Sequence, residues 1–154
     1  MKIRNRKYDS KDFDHVLVIW RISREYSSNG ADYAKQHTLY EDITYLRDHI
    51  LSVNNLWVAE NENQEILGFM AINNDFIDCL YIHPDHQDKG IGRSLLQHAL
   101  KLSPKKIWLH TLADNTRARS YYEHLGFRLI SEGKNEEGIP DVTYKYTSIE
   151  GKII

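Results

Sequence analysis

The stretch His83 to Leu100, HPDHQDKGIGRSLLQHAL, places two glycines, Gly90 and Gly92, where an apolar helical period begins. Glycine weakens a helix, so bare backbone at that point answers another need. The first turn of a helix has free backbone N–H groups and the positive end of the peptide dipole. An anion seated there accepts several hydrogen bonds at once. Gln87-Asp88-Lys89-Gly90-Ile91-Gly92 offers such a seat, and Lys89 and Arg93 add positive charge. Phosphate binding is the chemistry this spacing suggests, although a plain turn uses the same residues. No Gly-Lys-Ser/Thr follows, so this is not a Walker loop. A third glycine and an early parallel βαβ unit are both missing, so it is not a dinucleotide fingerprint.

Other side chains are chemically able. Asp78 and His110 lie on neighbouring apolar strands, and simple alternation puts Asp78 on the face of Leu80 and Ile82. His83 and His86 flank the glycine loop. Each of the four is a candidate base, directly or through water, and the residues do not choose among them. Cys79, on a central strand, reads as a buried small hydrophobe. Cys79, His83 and His86 come from one segment interrupted by Pro84, so no metal is expected.

These residues need elements to hold them. Ile3 to Lys7 is a short first strand. Phe13, Val16, Leu17 and Trp20 recur at helical spacing, which predicts a helix from Ser10, its cap, to about Tyr26. Ser27-Ser28-Asn29-Gly30 breaks it. Leu39, Ile43, Leu46 and Ile50 mark a second amphipathic helix. Leu56 to Glu60 and Ile66 to Ile72 form a hairpin about Asn61 to Gln64. Phe76 to Ile82, apolar on both faces, is a central strand ended by Pro84. Ile91, Leu95, Ala99 and Leu102 form the apolar face of the next helix, stopped at Ser103-Pro104. Ile107 to Leu112 is another buried strand. Ala118, Tyr121, Tyr122 and Leu125 lie on one helix face, with Gly126 as its stop. Phe127 to Ser131 and Val142 to Tyr146 are the last strands, joined by the polar Glu132 to Gly138 turn. The order β-α-α-β-β-β-α-β-α-β-β is an α/β domain on a mixed sheet.

The totals agree. A chain of 154 residues is expected to be one domain, 1–154, with a core of its own. A net charge of -2 suggests no broad nucleic-acid surface. The basic group Lys2, Arg4, Arg6 and Lys7 reads as solvated charge. One cysteine excludes an internal disulfide and fits a reducing compartment. With no signal-length apolar run and no membrane-length segment, the expected location is cytoplasmic.

Gln87-x-x-Gly90-x-Gly92, after a strand ending Leu80-Tyr81-Ile82-His83-Pro84, resembles the acyl-CoA-binding signature of the GNAT superfamily of N-acetyltransferases. A second block, Asn115-x-x-Ala118-x-x-Tyr121-Tyr122-Glu123-x-x-Gly126-Phe127, resembles the superfamily's downstream helix. The motifs cover Asp78 to Phe127, and the element order matches nearly the whole chain. Within the superfamily it looks most like small bacterial members with undefined acceptors.

The resemblance implies a GNAT-like acyl-CoA N-acyltransferase fold with acetyl-CoA as co-substrate and no metal. The pyrophosphate of coenzyme A would lie on Gln87, Asp88, Lys89, Gly90, Ile91 and Gly92, with Arg93 and Ser94 opening the helix behind. Pantetheine would pair with Leu80, Tyr81 and Ile82, which needs the strands Phe76–Ile82 and Ile107–Leu112 to splay. Asn115 would contact the cofactor or a nearby water. The implied reaction is direct attack of a primary amine on the thioester in a ternary complex. A backbone N–H near Ile82 would meet the oxyanion, and Tyr122 would act as general acid for the thiolate. Tyr121 would pack, although the doublet leaves open which hydroxyl faces the thioester. The acceptor would be a small-molecule or protein amine. A homodimer is allowed, and neither nucleic acid nor membrane is expected as a partner. Tyr26, Tyr33, Tyr40 and Tyr45 would cover the acceptor, and Glu132, Glu136, Glu137 and Asp141 would attract a cation. The alternative function is a catalytically silent acyl-CoA-binding regulatory module.

Overall fold

A computed structural model describes residues 1–27 and 37–147. One seven-stranded sheet runs β1 (Arg4–Lys7), β2 (Asn55–Glu60), β3 (Ile66–Asn73), β4 (Phe76–Ile82), β5 (Lys106–Leu112), β7 (Pro140–Thr147), β6 (Arg128–Lys134) from edge to edge. Every neighbouring pair is antiparallel except β4 with β5. Helices α1 (Phe13–Ser27) and α2 (Leu39–Tyr45, widening into a π-helical turn at Leu46–Leu51) cover one face. Helices α3 (Ile91–Leu102) and α4 (Thr116–His124) cover the other. This order of elements agrees with the GNAT-like fold that the resemblance implies. Among the described residues, no helix is long and apolar enough to cross a membrane.

Strand β2 shows why the sheet is doubly covered. Leu56 and Val58 pack under α1 and α2, while Trp57 and Ala59 face α3. On α3 the buried face is Ile91, Leu95, Leu96 and Ala99. Leu102, expected on that face, is the last residue of α3 and is 45% exposed, while Leu96 widens the buried face. Burying a leucine such as Leu95 contributes about 1.5–3 kcal/mol, enough to fix α3 against the sheet.

One local expectation changes. The α1 entry is capped by Asp9, whose carboxylate accepts from Lys11 N at 3.0 Å, and not by Ser10, which lies inside the opening 3-10 turn. Helix α2 has a capping box, with Thr38 and Glu41 bonded reciprocally at 3.0 and 3.1 Å. The break expected at Ser28-Asn29-Gly30 lies outside the described residues.

Arg6 is not simply solvated. Its guanidinium forks onto buried Asp12 at 2.9 and 3.0 Å and reaches Glu60 at 3.0 Å. Asp12 also accepts from Asp9 N, so it closes the α1 entry as well. The Arg6 guanidinium holds the Asp12 carboxyl below the usual carboxylate range. Asp12→Asn should cost about 2 kcal/mol at neutral pH, since a mostly buried ion pair loses one charge. A depressed carboxyl stabilises above its unfolded value of about 3.9 and is lost as pH falls through its folded value. Urea unfolding should therefore give a constant difference from wild type above pH 5 that shrinks below pH 4.

Candidate active site

Strand β4 meets β5 at two positions, Phe76↔Trp108 and Ile77↔Leu109, and then the strands part. On the other side β4 stays paired with β3 as far as Ile82. His83 N donates to Leu67 O at 2.9 Å, so alternation turns Tyr81 toward β3 and the amides of Leu80 and Ile82 into the gap. The carbonyl of Ile82 is taken by the Ser23 hydroxyl at 3.1 Å and by Gln87 Nε2 at 3.4 Å. The Leu80 amide group and the Ile82 N–H are thus the polar edge presented to a ligand.

A β-bulge lies at the mouth of this gap. The β3–β4 register passes from Ala71↔Cys79 to Ile72↔Ile77, which leaves Asp78 as the extra residue. The bulge reverses the alternation. Asp78 therefore does not share the face of Leu80 and Ile82, which pack toward α3. Its carboxylate accepts from Asn54 Nδ2 at 2.9 Å, just beyond the π-helical end of α2. Cys79 is buried, and burial pushes its thiol well up, so it is an inert core residue.

Beyond β4, Pro84–His86 forms a 3-10 turn whose cap is His83 Nδ1, accepting from Asp85 N at 3.1 Å. Gly90 then starts α3 with φ of +82°, and Ser94 N donates to its carbonyl at 3.0 Å. A left-handed N-cap is a conformation that glycine adopts without strain. Gly92 answers a different need: a Cβ there would stand 2.9 Å from the Tyr121 hydroxyl. The two glycines are thus fixed by backbone conformation and by a packed tyrosine, not only by clearance for an anion.

A cavity of about 1280 Å³ opens over this edge and loop. Of the residues that the resemblance would place on the cofactor, Leu80, Tyr81, Ile82, Gln87, Asp88, Gly90, Ile91, Gly92, Arg93 and Asn115 line it. Lys89 and Ser94 do not. Lys89 is exposed outside the lining, and the Ser94 hydroxyl accepts from Asn5 Nδ2 at 2.9 Å, tying α3 to β1. Asn115 caps α4, its Oδ1 accepting from Ala118 N at 3.1 Å, so its Nδ2 is what it has left for a ligand. Other elements add to the lining, Ser23 and Arg117 without any forecast from the sequence and His86 as a residue expected only to flank the loop. Ser23 comes from α1, His86 from the 3-10 turn, and Arg117 from α4, where it pairs with Asp88 at 3.1 Å. Only the motif loop had a local signal; Ser23 meets Ile82 across 59 positions of chain.

A second cavity of about 850 Å³ lies on the α1–α2 side. Leu80, Tyr81, Asn115, Ala118 and Tyr122 line both cavities, so the two meet where β4 and β5 part. Tyr122 is 8% exposed, and burial raises its hydroxyl well above the ordinary tyrosine value. That hydroxyl has no hydrogen-bond partner among the described residues. Tyr121 lines the first cavity alone, against Gly92. Behind the pair, Arg119 and Glu123 of α4 both bond the buried Tyr144 hydroxyl of β7, which fixes the helix on the sheet.

The second cavity is acidic and aromatic. Trp20, Tyr45 and His49 stack along one wall at 5.8 and 5.1 Å. Asp42 is neutralised by Arg21 at 2.8 Å and Arg24 at 3.0 Å. Asp78, Glu136, Glu137 and Asp141 also face it, with Lys134 and His110. Glu132 does not line it. Of the expected aromatics, Tyr40 and Tyr45 line it, while Tyr33 and the side chain of Tyr26 lie outside the described residues.

Comparison with known proteins agrees with this geometry. Residues 17–127 match the acetyltransferase (GNAT) family. The chain is 29% identical over 137 residues to the peptidyl-lysine N-acetyltransferase YjaB of Salmonella typhimurium, covering 89% of this chain and 91% of that protein. It is 32% identical over 92 residues to a spermidine N(1)-acetyltransferase of Vibrio cholerae, covering 50% of each. The solution structure of apo YjaB from Escherichia coli superposes with a TM-score of 0.81 at 25% identity, over 95% of this chain and 98% of that one. A strand pair that parts over a glycine-led helix, two cavities meeting at a buried tyrosine and a family match across most of the chain converge: the protein belongs to the acetyltransferase (GNAT) family and is an N-acetyltransferase.

Proposed function

We propose that the protein transfers an acetyl group from acetyl-CoA to a cationic primary amine, by direct attack within a ternary complex. The observation that carries the reading is the meeting of the two cavities at Tyr122. The first has the features that coenzyme A needs. The free N–H groups opening α3 and the Arg93 guanidinium suit a diphosphate. The Leu80 and Ile82 edge suits an amide-bearing pantetheine arm laid like a strand. Acetyl-CoA supplies the acyl group already activated as a thioester.

The chain's own residues do the rest. The Ile82 N–H donates to the oxyanion as it develops. Tyr122 gives its proton to the departing sulfur. The overall balance is one new C–N bond, one broken C–S bond and one proton released to solvent.

The second cavity suits the acceptor. Its surplus of carboxylates attracts an ammonium group and repels anions. A lysine side chain, as in the YjaB substrates, and a polyamine, as in the Vibrio enzyme, both fit that chemistry. The test is thiol release from acetyl-CoA with lysyl peptides, spermidine and neutral amines. Turnover with the cationic set supports the reading; turnover confined to uncharged or anionic acceptors refutes it.

The charge argument has its own variant. Glu136→Gln combined with Asp141→Asn should raise KM for a cationic amine about tenfold at low ionic strength, with kcat little changed. The effect should shrink as salt approaches 0.5 M, because exposed charges are screened. A KM that ignores both the substitutions and the salt removes these carboxylates from acceptor recognition.

A further inference from the structure

We infer that His110 is the general base for the acceptor amine, acting through Nε2; this rests on the reading of the second cavity as the acceptor site. The last β4–β5 pair is Ile77↔Leu109, so His110 is the first β5 residue at the gap. It lines the acceptor cavity together with Tyr122. The proposed acid and base therefore share one chamber.

The ring is held in place. Its Nδ1 lies 2.7 Å from the hydroxyl of Thr143, its cross-strand partner, which is 8% exposed. Phe76 and Trp108 pack edge-on against it at 5.3 and 5.4 Å. With Nδ1 anchored to β7, Nε2 is the nitrogen left for the cavity. A proton on Nδ1 given to Thr143 Oγ1 leaves the Nε2 lone pair as base.

The other candidates are committed or misplaced. His83 caps the 3-10 turn with its Nδ1, and His86 lines the cofactor cavity instead. Asp42 is held by two arginines, and Glu41 closes the α2 capping box. His49 is stacked on Tyr45. Asp78 is bonded to Asn54, and a carboxylate is a weaker base than imidazole at neutral pH. Its charge instead holds the incoming ammonium.

In the step, one N–H bond of the ammonium breaks and its proton passes to His110 Nε2. The freed electron pair forms the C–N bond, and the imidazolium later returns the proton to solvent. The charged and titratable groups that line the cavity with His110 are Arg24 from α1, His37, Tyr40, Glu41, Asp42, Tyr45 and His49 at α2, Asp78 and Cys79 from β4, Tyr122 from α4, Lys134, Glu136 and Glu137 of the β6–β7 hairpin, and Asp141 from β7. The titration to be measured is that of the imidazole within this set.

The experiment is the pH dependence of kcat/KM with spermidine and with a lysyl peptide. His110→Gln should lower kcat/KM about tenfold or more at pH 7 and remove the acid limb of the profile. Calorimetric affinity for coenzyme A should stay at the wild-type value. Thr143→Val keeps the imidazole and removes its anchor, so it should keep the limb and move its midpoint. A His110→Gln protein with the wild-type rate and an intact acid limb overturns the assignment while leaving the proposed function standing. A wild-type protein that releases no thiol with either amine overturns the acceptor site and this assignment together.

Discussion

Tyr122→Phe lowers turnover about 1000-fold, within the range for losing a general acid, and leaves coenzyme A affinity and thermal stability unchanged. The expectation follows from what the hydroxyl touches. The ring packs on Phe127, Tyr144 and Tyr121 at 5.6 to 6.2 Å, and phenylalanine keeps those contacts. The hydroxyl has no partner among the described residues, so its removal leaves no buried group unpaired. What is lost is a proton donor at the junction of the cavities. Burial raises the Tyr122 hydroxyl, so the donor form persists above pH 10. A fall in kcat on the alkaline side below that point would have another origin. Tyr121→Phe is the control, because that hydroxyl sits against Gly92 and outside the second cavity. Steady-state kinetics with calorimetry separates the two tyrosines. Equal rates for wild type and Tyr122→Phe would remove the hydroxyl from the chemistry.

Most of this architecture is legible in the sequence because periodicity is local. The two-residue period of Leu56 to Glu60 and the helical period of Ile91, Leu95 and Ala99 report the faces that pack. The glycine loop is legible for the same reason: its conformational demand and its charge lie within seven residues. What is not legible depends on pairing between distant segments. The bulge at Asp78 arises from register against β3, and no feature of Phe76 to Ile82 announces it. Ser94 reads as a cofactor-site residue where its helix opens, yet β1 claims it through Asn5. Arg6 looks like one charge in a basic cluster until Asp12 and Glu60 meet it across the sheet edge. The second cavity is the extreme case. Its walls come from α1, α2, β4, β5 and the β6–β7 hairpin, so its acidity is a property of the fold.

Gly90→Val weakens coenzyme A binding about 100-fold while the protein stays folded. At φ of +82°, a β-branched residue is strained by about 1–3 kcal/mol, and tenfold in affinity is about 1.4 kcal/mol. The exposed loop relieves that strain by turning the peptide that starts α3, and the amides of Ile91, Gly92 and Arg93 lose their common aim. Obstruction by the side chain is a rival cause, but a Cβ at Gly90 meets nothing within 4 Å. The two causes separate with Gly90→Asn. Asparagine adopts the left-handed conformation more readily than other side chains but is as bulky as valine. If backbone conformation governs the site, the Asn variant binds within about tenfold of wild type and the Val variant does not. If clearance for the anion governs it, both lose affinity alike. Gly92→Ala reports on the neighbouring contact, since its methyl must displace the Tyr121 ring before it reaches any ligand. Unchanged affinity in Gly90→Val would mean that the diphosphate does not use the start of α3, and the first cavity would need another occupant.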